Sequence, residues 1–241
     1  MNNYYKFLLK SLRTYKMITF FLILRLFFSR KFNFFKRKNS RESIEINLNF
    51  LKTKKKGTYT QDWFSYNIKY LSRFILRFKL RKKELNILEL GSYEGLSSVF
   101  FLTTLTNSKI ICVDPYIASE ENKDKDFGLV YKNFKLNTSQ FKDRLIHHKS
   151  TSDNFYKSCK DVKFDLIFID GNHHYSNVLN DAKNSFKHLK KGGFIIFDDF
   201  IWSYYKDINS NPIGAIKRFL HDNFFKLKIV SISYQLIIQK I

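Results

Sequence analysis

The chain has 241 residues, 44% of them hydrophobic, and a formal net charge of +22. This length and apolar content exclude wholesale disorder and fit one sizeable α/β domain with an appendage. Cys112 and Cys159 stand apart with no CxxC spacing, which excludes a zinc ribbon or a disulfide framework and points to a reducing, cytoplasmic setting.

The charge is concentrated at one end. Residues 1–83 carry 22 Lys/Arg against three acids (Glu42, Glu45, Asp62), a balance of +19, and the other 158 residues carry 21 against 18, a balance of +3. A basic head on a near-neutral body suggests an anionic partner, phospholipid or nucleic acid. An AT-rich coding bias explains the lysine excess as well, but explains its clustering less. Within the head, Met17 to Phe28 is the most apolar run, flanked by Lys10, Arg13, Lys16, Arg30 and Lys31. About 20 apolar residues are needed to span a bilayer. This run is shorter and contains Arg25, and no small-residue cleavage site follows it. Three readings stay open: residues 1–40 lie on an anionic membrane surface, the inner face of the cell membrane; the segment packs on its own domain or on a second copy in a homo-oligomer; or it is a true span. Lys52 to Lys56 reads as a solvated linker, so residues 1–56 form an extension and 57–241 a domain.

From Gly57 onward the expected elements alternate. Helical spacing runs from Trp63 to Leu80, followed by a buried strand at Asn86–Leu90, a Gly91–Gly95 turn and a helix over Leu96–Leu105. A second strand at Lys109–Asp114 leads through a polar loop (Ser119–Asp126) to a helix near Leu129–Phe141. Then come a strand at Leu145–His148, a short helix near Asp153–Ser158, a strand at Phe164–Asp170, a helix at Tyr175–Leu189 and a strand at Phe194–Asp198. A helix at Pro212–Phe224 and a hairpin of strands (Lys226–Ser231, Tyr234–Gln239) close the chain. Strands that are continuous apolar runs between helices predict a Rossmann-like, mostly parallel seven-stranded sheet covered on both faces. Ligands bind such sheets beyond the carboxyl ends of the strands. Three of these strands end in Asp114, Asp170 and Asp198, where core packing gives no reason for an acid.

Glu89-Leu-Gly91-Ser92-Tyr93-Glu-Gly95 ends the first strand and opens the first helix of the alternating unit. Gly91 lets the chain turn and approach a ligand, and Gly95 permits close packing behind it. Asp114, 25 residues after Glu89, suits ribose hydroxyls. Tyr93 occupies the place of the second glycine of a dinucleotide fingerprint, which argues against a nicotinamide pyrophosphate.

These residues, with CVDPY (112–116), FDLIFIDGNHHY (164–175), KKGGFIIFDDF (190–200) and the terminal hairpin, resemble class I S-adenosylmethionine-dependent methyltransferases over residues 57–241. TQDWFSYNI (60–68) looks like the lead-in helix of small bacterial members. The resemblance implies a cofactor site of Glu89, Gly91, Ser92, Tyr93 and Gly95 at the methionine end, Asp114 at the ribose, and Ser150 and Thr151 near the adenine. Asp170, Asp198 and Asp199 are hard oxygen donors that suit Mg²⁺, and their spacing resembles the metal-dependent sugar O-methyltransferases of antibiotic pathways, which implies them as ligands. The alternative is that Asp170 binds only cofactor, with Asp198 and Asp199 as loop hydrogen-bond partners. That branch often has a second acid where Asn172 stands, so His173 is read as the general base, beside Asp170, with cofactor contact or a helix cap as its other readings. Trp202, Tyr204 and Tyr205 form either a lid or a packed loop, and His147 and His148 are structural. The expected activity is O-methylation of a small-molecule acceptor, a sugar or glycan. The alternatives are a nucleic-acid methyltransferase, disfavoured because IDGNHH replaces the Pro-Pro-aromatic signature that holds a base, and a non-catalytic binding protein.

Overall fold

The computed structural model describes residues 41–159 and 161–241. The expected membrane-surface or packing role of residues 1–40, including Met17–Phe28, lies outside the described residues. No helix among the described residues is long and apolar enough to cross a membrane.

Seven strands form one sheet: β1 (Asn86–Leu90), β2 (Lys109–Val113), β3 (Leu145–His148), β4 (Phe164–Ile169), β5 (Leu189–Phe197), β6 (Leu227–Ile232) and β7 (Leu236–Lys240), in the order β3-β2-β1-β4-β5-β7-β6. The pairs β1–β2, β1–β4, β2–β3 and β4–β5 are parallel; β7 runs antiparallel to both β5 and β6. Burial follows position in the sheet. Residues 87–90 of β1 and 166–169 of β4 are buried on both faces, whereas edge strand β3 alternates half-buried and exposed, which turns His147 onto Tyr116, Tyr131 and Phe134 and leaves His148 exposed.

Helices α1 (Arg41–Lys54), α2 (Ile68–Arg77), α3 (Leu96–Thr104) and α4 (Phe127–Thr138) contribute to one apolar layer, and α5 (Ser152–Ser158), α6 (Tyr175–His188) and α7 (Pro212–Asp222) to the other. Local chemistry starts several of them. Asp126 caps α4 by accepting from Gly128 N (2.9 Å) and Leu129 N (3.1 Å), Thr151 caps α5 through Asn154 N (3.3 Å), and Pro212 occupies the first turn of α7.

The domain begins earlier than expected. Arg41–Lys54 is a helix whose Ile46 and Phe50 are buried, and the Phe50 ring lies 5.6 Å from Phe100 and 6.2 Å from Phe64. Lys54 bonds to Asp62 and, at 3.1 Å, to Ser65, so the residues read as a solvated linker include the last turn of a packed helix. A boundary at Gly57 therefore cuts through the packed unit. Two further elements differ from expectation. Asp62 Oδ1 accepts from Ser65 N (2.9 Å), so the helical stretch starts at Ser65 and leaves Trp63 outside it. Strand β5 starts at Leu189, because Phe164 pairs with Leu189 ahead of an irregularity at Phe164/Leu166, and it carries exposed Lys190, Lys191 and Gly192.

Candidate active site

A cavity of about 800 Å³ opens at the carboxyl ends of β1, β2, β4 and β5. Its base is the Gly91 turn. Gly91 has φ +83°, donates its N–H to Val113 O (2.9 Å), and lies so close to β4 that a Cβ there would meet Asp170 O at 2.0 Å. Only glycine fits both constraints. Gly95 (φ +81°) starts α3, and a Cβ there would press on Thr138 and Phe134, so the close contact it permits is with α4 rather than with a strand.

Asp114 locks this turn. Its Oδ2 accepts from Ser92 N (3.0 Å) and Tyr93 N (2.9 Å), and its Oδ1 from Tyr116 N (2.8 Å). Burial raises the Asp114 carboxyl while these backbone N–H groups hold it down. Oδ1 keeps a lone pair for a ribose hydroxyl. Tyr93 (φ 46°), Tyr116 (φ 52°) and Asp199 (φ 51°) are three of the four left-handed non-glycine residues described, and all sit at this edge, where backbone strain concentrates in functional sites.

Three expected cofactor residues are placed elsewhere, Gly95 among them, since it packs on α4 and does not line the cavity. Glu89 is fully buried behind the turn, where Ser98 Oγ donates to its Oε2, as does Cys112 Sγ at 3.2 Å; burial raises its pKa, and it does not line the cavity. It braces β1 against α3 and β2. Ser150 also lies off the cavity, its hydroxyl donating to Thr151 O (3.1 Å), whereas Thr151 lines it. Ser92, Tyr93, Gly91 and Asp114 line it as well.

At the other end Asp170, His173 and Asp199 converge: one ligand atom from each lies within 4.8 Å of the others. His173 Nε2 is 2.9 Å from Asp199 Oδ2 and 3.9 Å from Asp170 Oδ1, and Nδ1 is 2.7 Å from Glu121 Oε2. Asp198 also lines the cavity but turns to the interior, accepting from Asn67 Nδ2 (3.2 Å) and Asp199 N (2.9 Å). The set that could hold a cation is thus Asp170, His173 and Asp199, with His173 standing where Asp198 was expected.

The electrostatics follow from crowded charge. Burial and the charges of Asp198 and Asp199 push Asp170 well above the carboxylate range, and burial with Asp199 pushes Asp198 up to about 7. Burial alone would lower His173, but its bonds to Asp199 and Glu121 and the nearby carboxylates raise it to about 10. In this arrangement both imidazole nitrogens donate, so His173 is a cation holding two anions. It does not cap α6, whose N-cap is His174.

The sequence offered no pointer to Glu121. It lies in the polar loop after β2, where its Oε1 accepts from Tyr205 OH (2.6 Å) and its Oε2 meets His173. Burial would raise it, yet these partners hold it below the usual range. Glu121 therefore ties the loop after β2 to the aromatic loop after β5. In that second loop Trp202 lies 4.6 Å from the His173 ring and lines the cavity, and Tyr204 stacks on Trp202 at 5.6 Å. Trp63, Tyr66 and Gln61 of the lead-in segment also line the cavity, and Thr60 secures that segment by donating to Glu94 from its N–H (2.7 Å) and hydroxyl (3.0 Å).

Residues 88–200 match a protein family described as a methyltransferase domain. An uncharacterised protein of Acanthamoeba polyphaga mimivirus is 31% identical over 130 residues, covering 49% of this chain and 53% of its own length. The chain thus spans about half the length of that curated relative. Among solved structures, the MycE methyltransferase of the mycinamycin biosynthetic pathway, in complex with Mg, S-adenosylhomocysteine and mycinamycin VI, superposes with a TM-score of 0.56 at 15% identity, over 83% of this chain and 54% of its own. An O-methyltransferase from Bacillus cereus in complex with S-adenosylhomocysteine gives 0.54 at 17% identity, over 81% and 91%. At these identities the likeness to the solved structures is one of fold, a Rossmann-like one, and over residues 88–200 the chain is similar to a methyltransferase domain.

Proposed function

We propose that the chain transfers a methyl group from S-adenosylmethionine to a hydroxyl oxygen of a small molecule, a sugar or glycan, with the help of a divalent cation. The observation that carries this reading is the convergence of Asp170, His173 and Asp199 at one end of a cavity whose other end is the Gly91–Asp114 turn. The residues suit both groups. The cavity has the size of a small-molecule site, and Asp114 and the glycine turn suit ribose and methionine. Two carboxylate oxygens, of Asp170 and Asp199, are donors for a hard cation, which leaves His173 Nε2 to act as a base. S-adenosylmethionine would supply an electrophilic methyl, and a cation held by Asp170 and Asp199 would acidify and orient a hydroxyl beside it.

The chain's own residues account for the remaining work. Asp199 and Glu121 are the bonded anions that keep His173 protonated, and a cation held by Asp199 and Asp170 would lower its pKa by neutralising one of them. His173 Nε2 then takes the hydroxyl proton while Nδ1–H stays on Glu121, which fixes the tautomer. Trp202, with Tyr204 stacked on it, and Trp63 line the cavity with flat apolar faces that suit a pyranose ring and exclude water. Positioning of donor and acceptor supplies most of the rate.

Calorimetric titration of the full chain with S-adenosylmethionine, with and without Mg²⁺, tests the cofactor. Methyl-transfer assays on sugar acceptors, with EDTA and with Asp199→Asn, test the metal. Cofactor binding with metal-dependent turnover that fails in Asp199→Asn supports the proposal. A folded protein that does not bind S-adenosylmethionine under either condition refutes it.

A further inference from the structure

The edge of the sheet opposite the cavity has a chemistry of its own. Strands β1 to β5 all start there, as does β6, because β7 runs antiparallel to both of its neighbours. The strand starts carry exposed lysines in spatial order: Lys109 opening β2, Lys82 and Lys83 before β1, Lys163 before β4, Lys191 in β5 and Lys226 before β6. Exposed Glu84, Asp143 and Asp161 lie among them without balancing them. At the β6 end stand two aromatic rings in mutual contact, Phe224 and Phe225, with centroids 5.3 Å apart. Phe225 is 91% exposed and Phe224 62%. Neither serves the core, and a pair of bare phenyl rings beside lysines is costly to leave in water.

The chain enters the domain at this same edge. Glu45, in the first half of α1, bonds to Arg81 in the turn that leads into β1. The forty residues before Arg41 hold ten Lys/Arg and no Asp or Glu, with the apolar run Met17–Phe28 among them. Basic sequence and basic surface are therefore continuous.

We infer that this edge of the folded domain is a docking face for an anionic phospholipid bilayer, with Phe224 and Phe225 entering the headgroup–acyl boundary and the strand-start lysines meeting lipid phosphates. Charge complementarity and the exposed phenyl pair together favour a bilayer, because interfacial binding combines buried apolar area with attraction to anionic headgroups. The cavity then faces away from the membrane, toward acceptors in the aqueous phase. The inference is independent of the reaction catalysed.

Co-sedimentation of the full chain with phosphatidylcholine vesicles, with and without phosphatidylserine, tests it. Each lysine near an anionic surface changes partitioning by about fivefold, so Lys82→Glu/Lys83→Glu/Lys191→Glu is expected to weaken binding to the anionic vesicles by more than about tenfold. Phe224→Ser/Phe225→Ser is expected to weaken it too, with unaltered thermal unfolding because both rings are exposed. In a separate arm, Phe225→Trp on the otherwise unchanged chain is expected to add a blue-shifted emission component on mixing with anionic vesicles. Trp63 and Trp202 sit at the opposite edge and give the background from the parent. Equal partitioning of parent and both face variants would overturn the inference, leaving residues 1–40 as the sole attachment. So would an unshifted emission from the Phe225→Trp variant, a dimer in solution that buries this face, or tighter capture by duplex RNA than by vesicles.

Discussion

Gly91→Ala gives the sharpest test of how the site is built, because the strain it creates can be separated into two parts. At φ +83° an alanine pays about 1–2 kcal/mol for the left-handed conformation. The second part is steric. The new Cβ would stand 2.0 Å from Asp170 O and 2.5 Å from its carbonyl carbon, both backbone atoms, so β1 and β4 must part by more than an ångström. Asp170 N donates to Leu90 O (2.8 Å) and Asp198 N to Ile169 O (2.9 Å), and yielding strains or breaks at least one of these bonds, about 1 kcal/mol or more each. The sum is about 3 kcal/mol. Gly192→Ala is the internal control: its φ is +79°, nearly the same, but nothing lies within 4 Å of the added Cβ. It should lose about 1–2 kcal/mol only. In urea, with a slope of about 3 kcal/mol/M, the midpoints fall by about 1 M and about half that, respectively. S-adenosylmethionine binding by calorimetry should vanish in Gly91→Ala and survive in Gly192→Ala, which sits at the far edge of the sheet. Equal midpoint losses in the two variants would refute the close approach of β1 to β4.

Other outcomes follow from the same structure. Because His173 rises to about 10 on folding from an ordinary value near 6.5, it contributes stability that is fully present below pH 6.5 and lost as pH climbs through 10, an effect of about 4–5 kcal/mol at most. Thermal melts of the metal-free protein across that window should show the decline, and His173→Asn should flatten it; a parallel pair of curves would contradict the assignment. Glu121→Gln removes one of the anions on His173 and the acceptor for Tyr205, so the His173 titration followed by NMR should move below 10; an unchanged titration would show that Glu121 contributes nothing. Phe50→Ala should cost about 3–5 kcal/mol as a fully buried ring, and a chain starting at Gly57 should unfold at markedly lower denaturant. Full stability of residues 57–241 would mean that α1 is dispensable.

Where each strand ends was legible from the sequence because strand and helix periods are local properties. The apolar runs at 86–90, 109–113 and 164–169 could only be strands buried on both faces, and the acids at 114, 170 and 198 marked the carboxyl edge without any tertiary information. The Gly91–Gly95 turn was legible for the same reason: a backbone that must turn sharply needs glycine wherever it is placed. What the tertiary structure decided was which side chains meet. Asp198 and Asp199 are adjacent in sequence, but the left-handed backbone at Asp199 sends its carboxylate to His173 while Asp198 turns to Asn67, 131 positions away. Glu89 looked like a cofactor residue from its motif, yet Ser98 and Cys112 claim it from behind. Glu121 and Phe50 were invisible for opposite reasons: one is an acid in an acidic loop, the other a phenylalanine in a Phe-rich chain. Their roles come from Tyr205, His173 and Phe100, partners that only the folded chain brings within reach. Composition and period depend on neighbours along the chain, whereas charge pairing and burial depend on neighbours across it.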